Sequence, residues 1–250
     1  MGERKDAAAL VEKQKAMATR DAYGKALFDL GSRRDDVVVL DADLSGSTKT
    51  ITFGKAFPER FFNIGISEQD MIGTAGGLSL AGKLPFASTF AIFETGRAWE
   101  QIRQTICYSR LNVKLVATHA GITVGEDGAS HQALMDIALM RVLPEMTVIV
   151  PADGRETEQA INAIADFDGP VYVRLGRSKV PPVMPETYRF EVGKAHPFHI
   201  GKNATIIAAG IMVSIALEAQ EALRASGLDV GVINMSTIKP LDGDILLKAA

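Results

Sequence analysis

Residues 113–132, VKLVATHAGITVGEDGASHQ, decide the fold. The first six, Val113–Thr118, are largely apolar on both faces, the pattern of a strand buried inside a parallel sheet. A Gly-rich loop comes next, carrying His119, Glu126, Asp127 and His131. In α/β proteins, ligands bind at loops leaving the carboxyl ends of parallel strands. Two of the chain's 4 histidines fall in this one loop, which makes it the first candidate site. The bland alternative is a turn in which Asp127 and Ser130 satisfy local backbone groups. With no His-x-x-x-His and no Cys pair, a metal centre is not expected.

Outward from this stretch, similar runs recur at Val37–Leu40, Thr147–Val150, Val171–Leu175, Ala204–Ala208 and Val230–Ile233. Helical patterns separate them: Arg20–Leu30, Glu68–Ala81, Gly96–Ser109, Gln132–Leu143, Glu156–Phe167 and Met212–Ser226. Strands alternating with helices predict an α/β fold with a doubly wound, mostly parallel sheet. The stretch Ser178–Lys194 holds Pro181, Pro182 and Pro185 and breaks the periodicity, so a boundary is expected there. The expected organisation is a helical tail over 1–16, a first domain over 17–190, and a second, incomplete α/β domain over 191–250. That last piece promises too few strands to close a sheet alone, so it either stops early or packs on something else.

Composition narrows the function. The chain has 250 residues, 47% hydrophobic and 23% charged, with a net charge of −3. No basic run suggests nucleic acid, and no apolar run is long enough to span a membrane. The charged N-terminus is no signal peptide, and the single cysteine, Cys107, sits among apolar helix positions as a core residue. A cytoplasmic or otherwise reducing location is expected. No Gly-x-Gly-x-x-Gly follows the first strand and no P-loop occurs, so a nucleotide cofactor has no phosphate cradle.

Three further motifs admit a bland and a sharp reading. In Asn63–Asp70 (NIGISEQD), Ser67 and Asp70 read as a helix cap and Glu68 as an acid favoured by the helix dipole. In Thr89–Phe93 (TFAIF), Phe90 and Phe93 read as core, or as an apolar slot for a flat heteroaromatic ring. In Gly73–Gly82 (GTAGGLSLAG), small residues let backbones approach closely, within the chain or at a subunit interface.

Taken together, GISEQD, STFAIF and TH-x(5)-GEDGASHQ resemble the transketolase family of thiamine diphosphate enzymes in order and spacing. Ala18-Thr19-Arg20 and the segment Asp41–Ser47 (DADLSGS) share in the resemblance, which covers about residues 17–250. It implies that the first domain is a pyrimidine-binding domain and that 191–250 begins the family's C-terminal domain. The family's Gly-Asp-Gly…Asn segment, which holds Mg²⁺ and the diphosphate, does not occur. The resemblance therefore implies the second half of a split transketolase, a transferase moving a two-carbon ketol unit between sugar phosphates of the pentose phosphate pathway. The partner implied is a separate N-terminal subunit that completes the thiamine diphosphate site and supplies most of the Mg²⁺ ligands, in an α2β2 assembly. By the same resemblance, Glu68 contacts N1′ of the aminopyrimidine and shares a proton there. Asp43, Leu44, Phe90 and Phe93 line the ring pocket. His119 and His131 meet substrate hydroxyls and move protons, Asp127 reads a sugar hydroxyl, and Arg20, Ser47 and Arg177 hold the sugar phosphate. Two departures from the family pattern are Gly96, where an aromatic is common, and Ala120, where longer members often have Asp. The rivals are a 1-deoxyxylulose-5-phosphate synthase-like chain, a 2-oxoacid dehydrogenase β-like subunit, and a non-catalytic partner subunit.

Overall fold

Among the described residues, seven strands form the central sheet, in the order Thr237–Lys239, Thr147–Ile149, Val171–Arg174, Lys114–Ala117, Leu84–Ser88, Val37–Asp41 and Phe61–Asn63 from one edge to the other. The computed structural model describes residues 15–250, so the tail expected over 1–16 lies almost wholly outside the described residues. The strands are β2 (Val37–Asp41), β3 (Phe61–Asn63), β4 (Leu84–Ser88), β5 (Lys114–Ala117), β6 (Thr147–Ile149), β7 (Val171–Arg174) and β12 (Thr237–Lys239). All pair in parallel except β12, which runs antiparallel to β6. The expected mostly parallel α/β sheet is what forms.

Each strand face feeds its own core, because side chains alternate along a strand. On one face Leu40, Leu115 and Tyr172 pack with Met71, Ile72, Ile102, Ile106 and Met140. On the other Val39, Val116, Val171 and Val173 pack with Tyr23, Leu27, Phe53, Ile161 and Ile164. Burying a side chain such as Leu27 or Phe53 completely contributes about 1.5–3 kcal/mol. Cys107 packs in the first of these cores, with Met71 and Ile106, at 2% exposure, and burial pushes its thiol up to about 11.

Several elements differ from the sequence reading. The strand β4 carries Pro85, which argues locally against a central strand. Leu84 N–H donates to Asp36 on the β2 side, so the amide position of Pro85 faces the other side, where pairing with β5 begins only at Phe86. The missing donor therefore costs no ladder bond. The helix expected over Gly96–Ser109 is instead Ala91–Arg97, a short turn Trp99–Gln101, and a π turn Ile102–Cys107. The π turn is marked by Tyr108 N–H donating to Arg103 O. The helix expected over Gln132–Leu143 is only Asp136–Arg141. In the Glu68–Leu80 helix, Gly76 lets the neighbouring turn pack close: a Cβ there would lie 2.7 Å from Thr105 Cγ2 and push that side chain aside. Gly73 and Gly77 meet no such neighbour.

The stretch Ser178–Lys194 is not a loose linker. Its two-residue strand β8 (Lys179–Val180) pairs antiparallel with β1 (Met17–Ala18). Farther on, Val183 and Met184 N–H both donate to Asp153 Oδ2 at 2.8 Å, while Asp153 Oδ1 caps the Gly154–Ala165 helix through Glu156 N–H. Beyond it, β9 (His196–His199), β10 (Ala204–Ala208) and β11 (Val230–Asn234) make a three-stranded sheet backed by the Met212–Ala225 helix. The chain then returns to add β12 to the large sheet, so the piece too short to stand alone packs on the first. Buried Glu156 ties the join, accepting from Asn234 Nδ2 at 2.9 and 3.0 Å and from Tyr188 OH at 2.6 Å. Among the described residues, no helix is long and apolar enough to cross a membrane.

Asp153→Ala removes a helix cap and leaves two strap amides without their acceptor. A stability loss of about 2–4 kcal/mol is expected, seen as a lower urea midpoint at unchanged slope. A loss under about 0.5 kcal/mol would mean that the strap is not held through Asp153.

Candidate active site

Because the strands are parallel, their carboxyl ends open on one side, and the singled-out residues follow those ends. Asp43, Leu44 and Ser47 follow β2, Glu68 follows β3, Phe90 and Phe93 follow β4, His119, Asp127 and His131 follow β5, and Arg177 follows β7. The β1–β8 pair delivers Arg20 to the same end. Thr19 Oγ1 accepts from Gly176 N–H at 2.8 Å, across 157 positions of sequence.

The centre is a wall of rings. Phe90 and Phe93 stack at 5.7 Å with 11° between planes. His119 stacks on Phe90 at 3.8 Å, and His131 meets Phe93 edge-on at 5.3 Å. Phe90 is 4% exposed and is fixed by backbone bonds between its neighbours and Thr118, the residue after β5, including Ala91 N–H to Thr118 O at 2.8 Å. Glu68 begins its helix and is also 4% exposed. Its partner is Arg97, whose Nη1 donates to Glu68 Oε1 at 2.8 Å while the guanidinium covers the Phe93 ring at 4.1 Å. Arg97 thus joins the acid to the aromatic wall. Ser67, expected to cap this helix, makes no side-chain cap bond.

His119 has φ of 57°, a backbone region a residue with a Cβ occupies only under tertiary constraint. Its Nε2 lies 3.1 Å from Arg20 Nη1 and its Nδ1 lies 2.9 Å from Thr118 Oγ1. An arginine only donates, so Nε2 accepts and Nδ1 carries the proton. Burial, with Arg20 adding to it, lowers the ring to about 4. The folded value lies below the ordinary 6.5, so the folded state binds fewer protons than the unfolded one between those values. Stability from this group is complete above about 6.5 and is lost as the pH falls toward about 4. Nitrogen-15 NMR is expected to show the Nδ1–H form at neutral pH, with a midpoint near 4. A midpoint near 6.5 would contradict the geometry.

Both Arg20 and Arg177 lie near enough to His119 for their charges to act on its ring. Arg20 Nη1 also donates to the backbone oxygen of Ser47 at 3.1 Å, so Ser47 contributes its carbonyl here. Arg177 donates to Val124 O and Glu126, with Asp127 4.0 Å away. Asp43 is exposed, at φ of 64°, and bonds to Asn63 through both backbone and side chain. Leu44 is half-buried and gives its N–H to Asp41. The hydrogen bonds of Asp43 and Leu44 therefore run to the β2–β3 end and not to the ring wall. The sequence reading missed Arg97. It also missed the Arg174–Asp136 pair at 2.7 Å, which backs the loop as Arg174 reaches Ala133 O. Neither lies in a motif; only burial and pairing reveal them. Among the described residues, no group of three or more His, Cys, Asp or Glu could hold a metal ion.

Residues 15–182 match the family described as "Transketolase, pyrimidine binding domain", and residues 193–250 match "Transketolase, C-terminal domain". A protein of Methanocaldococcus jannaschii, provisionally named a transketolase C-terminal section, is 52% identical over 92% of this chain and 73% of its own length. A protein of Clostridium sp. named as a 6-deoxy-6-sulfo-D-fructose transketolase subunit is 38% identical over 92% of this chain and 72% of its own. A solved structure named "Split gene transketolase, inactive beta4 tetramer" superposes with a TM-score of 0.87 at 55% identity, covering 94% of this chain and 77% of that one. The chain belongs to the transketolase family and corresponds to its pyrimidine-binding domain followed by C-terminal domain sequence.

Proposed function

We propose that this chain is the C-terminal subunit of a split transketolase, transferring a two-carbon unit between anionic sugars with thiamine diphosphate. The observation that carries the reading is the buried carboxylate of Glu68 beside the stacked rings of Phe90 and Phe93, at the carboxyl end of a parallel sheet. A flat ring slot with one buried acid at its edge fits the aminopyrimidine half of the cofactor. In this proposal the diphosphate end and the metal fall to an N-terminal partner. The similar structure named an inactive β4 tetramer supports such a division, and an α2β2 assembly accords with it.

Thiamine diphosphate supplies the nucleophilic carbon that takes up the two-carbon unit. The chain's own residues have narrower tasks. Glu68 holds a proton at the ring nitrogen N1′, which requires only hydrogen-bond distance and shelter from water. Phe90 and Phe93 pack on the ring and exclude water, with Asp43 and Leu44 at the mouth of the pocket. His119, neutral and with Nε2 as an acceptor, receives a substrate hydroxyl's hydrogen bond. His131 serves at the same hydroxyls and moves protons, and Asp127 reads a further hydroxyl. Arg20, Arg177 and the Ser47 turn hold the anionic end of the sugar, where guanidinium forks suit phosphate. A relative named for a sulfonated fructose supports an anionic rather than a neutral sugar.

The test is reconstitution. The full chain alone is expected to show no ketol transfer from a ketose phosphate with thiamine diphosphate and Mg²⁺, and to bind the cofactor weakly by calorimetry. With an N-terminal transketolase subunit added, transfer is expected to appear. Tight, Mg²⁺-dependent binding by the chain alone would end the split-site reading.

A further inference from the structure

The Ala91–Arg97 helix buries one carboxyl group that the proposed site does not use. Glu94 is 0% exposed, and neither Oε1 nor Oε2 has a hydrogen-bond partner among the described residues. It lies within one turn of Phe90, Phe93 and Arg97, the residues that build the ring wall and hold Glu68. From the neighbouring elements it faces Asp41 at the end of β2 and Glu68 at the start of the Glu68–Leu80 helix. Tyr23 and Tyr172 approach from the Thr19–Gly31 helix and from β7. The Asp136–Arg141 helix packs alongside, with Asp136 bound to both Tyr172 and Arg174.

These groups do not share donors equally. Asp41 accepts from Leu44 N–H, Thr48 and Thr50 at 2.6, 2.7 and 2.8 Å. Glu68 has Arg97 at 2.8 Å. The Tyr23 hydroxyl pairs with Ser88, and that of Tyr172 donates to Asp136. Nothing remains for Glu94. Of these three buried carboxyls, the one without donors takes up a proton.

We propose that Glu94 is a positioning residue for Glu68: a neutral acid behind the ring wall that keeps the negative charge of this site on Glu68. The inference rests on the reading of Glu68 as the group that holds a proton at the cofactor ring. A charge on Glu94 would tighten the grip of Glu68 on a proton of its own, and Glu68 would then share it less readily with a ring nitrogen. Burial pushes Glu94 well above the ordinary carboxylate value of 4.5, with Asp41 and Glu68 adding to it. The folded state therefore binds more protons than the unfolded one from about 4.5 up to that raised value. Stability from this group is complete below about 4.5 and falls as the pH rises. That is a lasting cost at neutral pH with no hydrogen bond to offset it, which points to a role in the site rather than in the fold.

Carbon-13 NMR of the full chain, labelled at glutamate Cδ, tests the proposal without cofactor or partner. Glu94 is expected to show the protonated shift at neutral pH. Glu68 is expected to show a second inflection as Glu94 ionises, and E94Q is expected to abolish that inflection. An ionised Glu94 at neutral pH, or a Glu68 curve identical in both proteins, would overturn the proposal. In denaturant unfolding, the folding constant of wild type should fall about tenfold per pH unit relative to E94Q across the window. Parallel curves would overturn it as well. Should E94Q fail to fold, the wild-type spectrum still decides the protonation and the second inflection. Because these measurements need no turnover, a reconstituted mixture that transfers nothing would count against the proposed function and not against Glu94.

Discussion

Glu68→Gln is expected to lower ketol transfer by the assembled enzyme about 10²–10⁴-fold, leaving fold and assembly intact. Glutamine keeps the size of the side chain and one acceptor oxygen but cannot exchange a proton with a ring nitrogen. The local surroundings allow a competing account. Glu68 is the first residue of its helix, where a carboxylate gains about 0.3–1 kcal/mol from the helix dipole. Its partner Arg97 has a half-exposed side chain, so the pair adds no more than about 1 kcal/mol. If those roles were all, Gln would cost at most about 2 kcal/mol of stability and no activity. Hydrogen–deuterium exchange at the thiazolium C2 of cofactor bound to the two-subunit enzyme separates the accounts. A rate unchanged by the substitution would make Glu68 a helix-start residue and remove the mechanism.

How far the sequence discloses this arrangement depends on the range of the interactions. Strands apolar on both faces, such as Val37–Asp41 and Lys114–Ala117, announce themselves because burial from two sides leaves a continuous run. The loop from His119 through GEDGASHQ is legible because its glycines and both histidines fall in one short stretch of sequence. What escapes is set by distant partners. β4 hides behind Pro85, tolerated only because β5 starts one residue later. β12 is three residues long and is defined by β6, far back in the chain. The arrival of Arg20 beside His119 follows a two-residue strand pair, too short for any periodicity. Arg97 and Glu94 look like ordinary polar positions on a helix until the fold shows one bound to Glu68 and the other buried without a donor. The capping pattern at Ser67 is plain in the sequence and is not used.

Arg177→Ala is expected to lower kcat/KM for a phosphorylated ketose about tenfold to a hundredfold, corresponding to about 1.5–3 kcal/mol, with little change in cofactor binding. The contacts of Arg177 supply a different explanation for any loss. Arg177 donates to Val124 O and pairs with Glu126, and a Cβ on Gly125 would collide with its Nη1. It could thus act by anchoring the loop that carries Asp127 and His131. The two roles separate by substrate. Loss of an anchor displaces His131 for every sugar, so phosphorylated and unphosphorylated ketoses would suffer equally. Loss of a phosphate contact spares the unphosphorylated sugar. The ion pair with Glu126 does not prevent phosphate binding, because the Glu126 side chain is 84% exposed and such pairs contribute about 0–1 kcal/mol. A dianionic phosphate competes for the same fork with better geometry. Glu126→Gln should therefore lower KM for the phosphorylated sugar modestly, and Arg177→Lys should restore only part of the loss, since an ammonium keeps the charge without the paired donors. Equal losses on both sugars in Arg177→Ala would remove Arg177 from the phosphate site and leave it as the anchor of the loop.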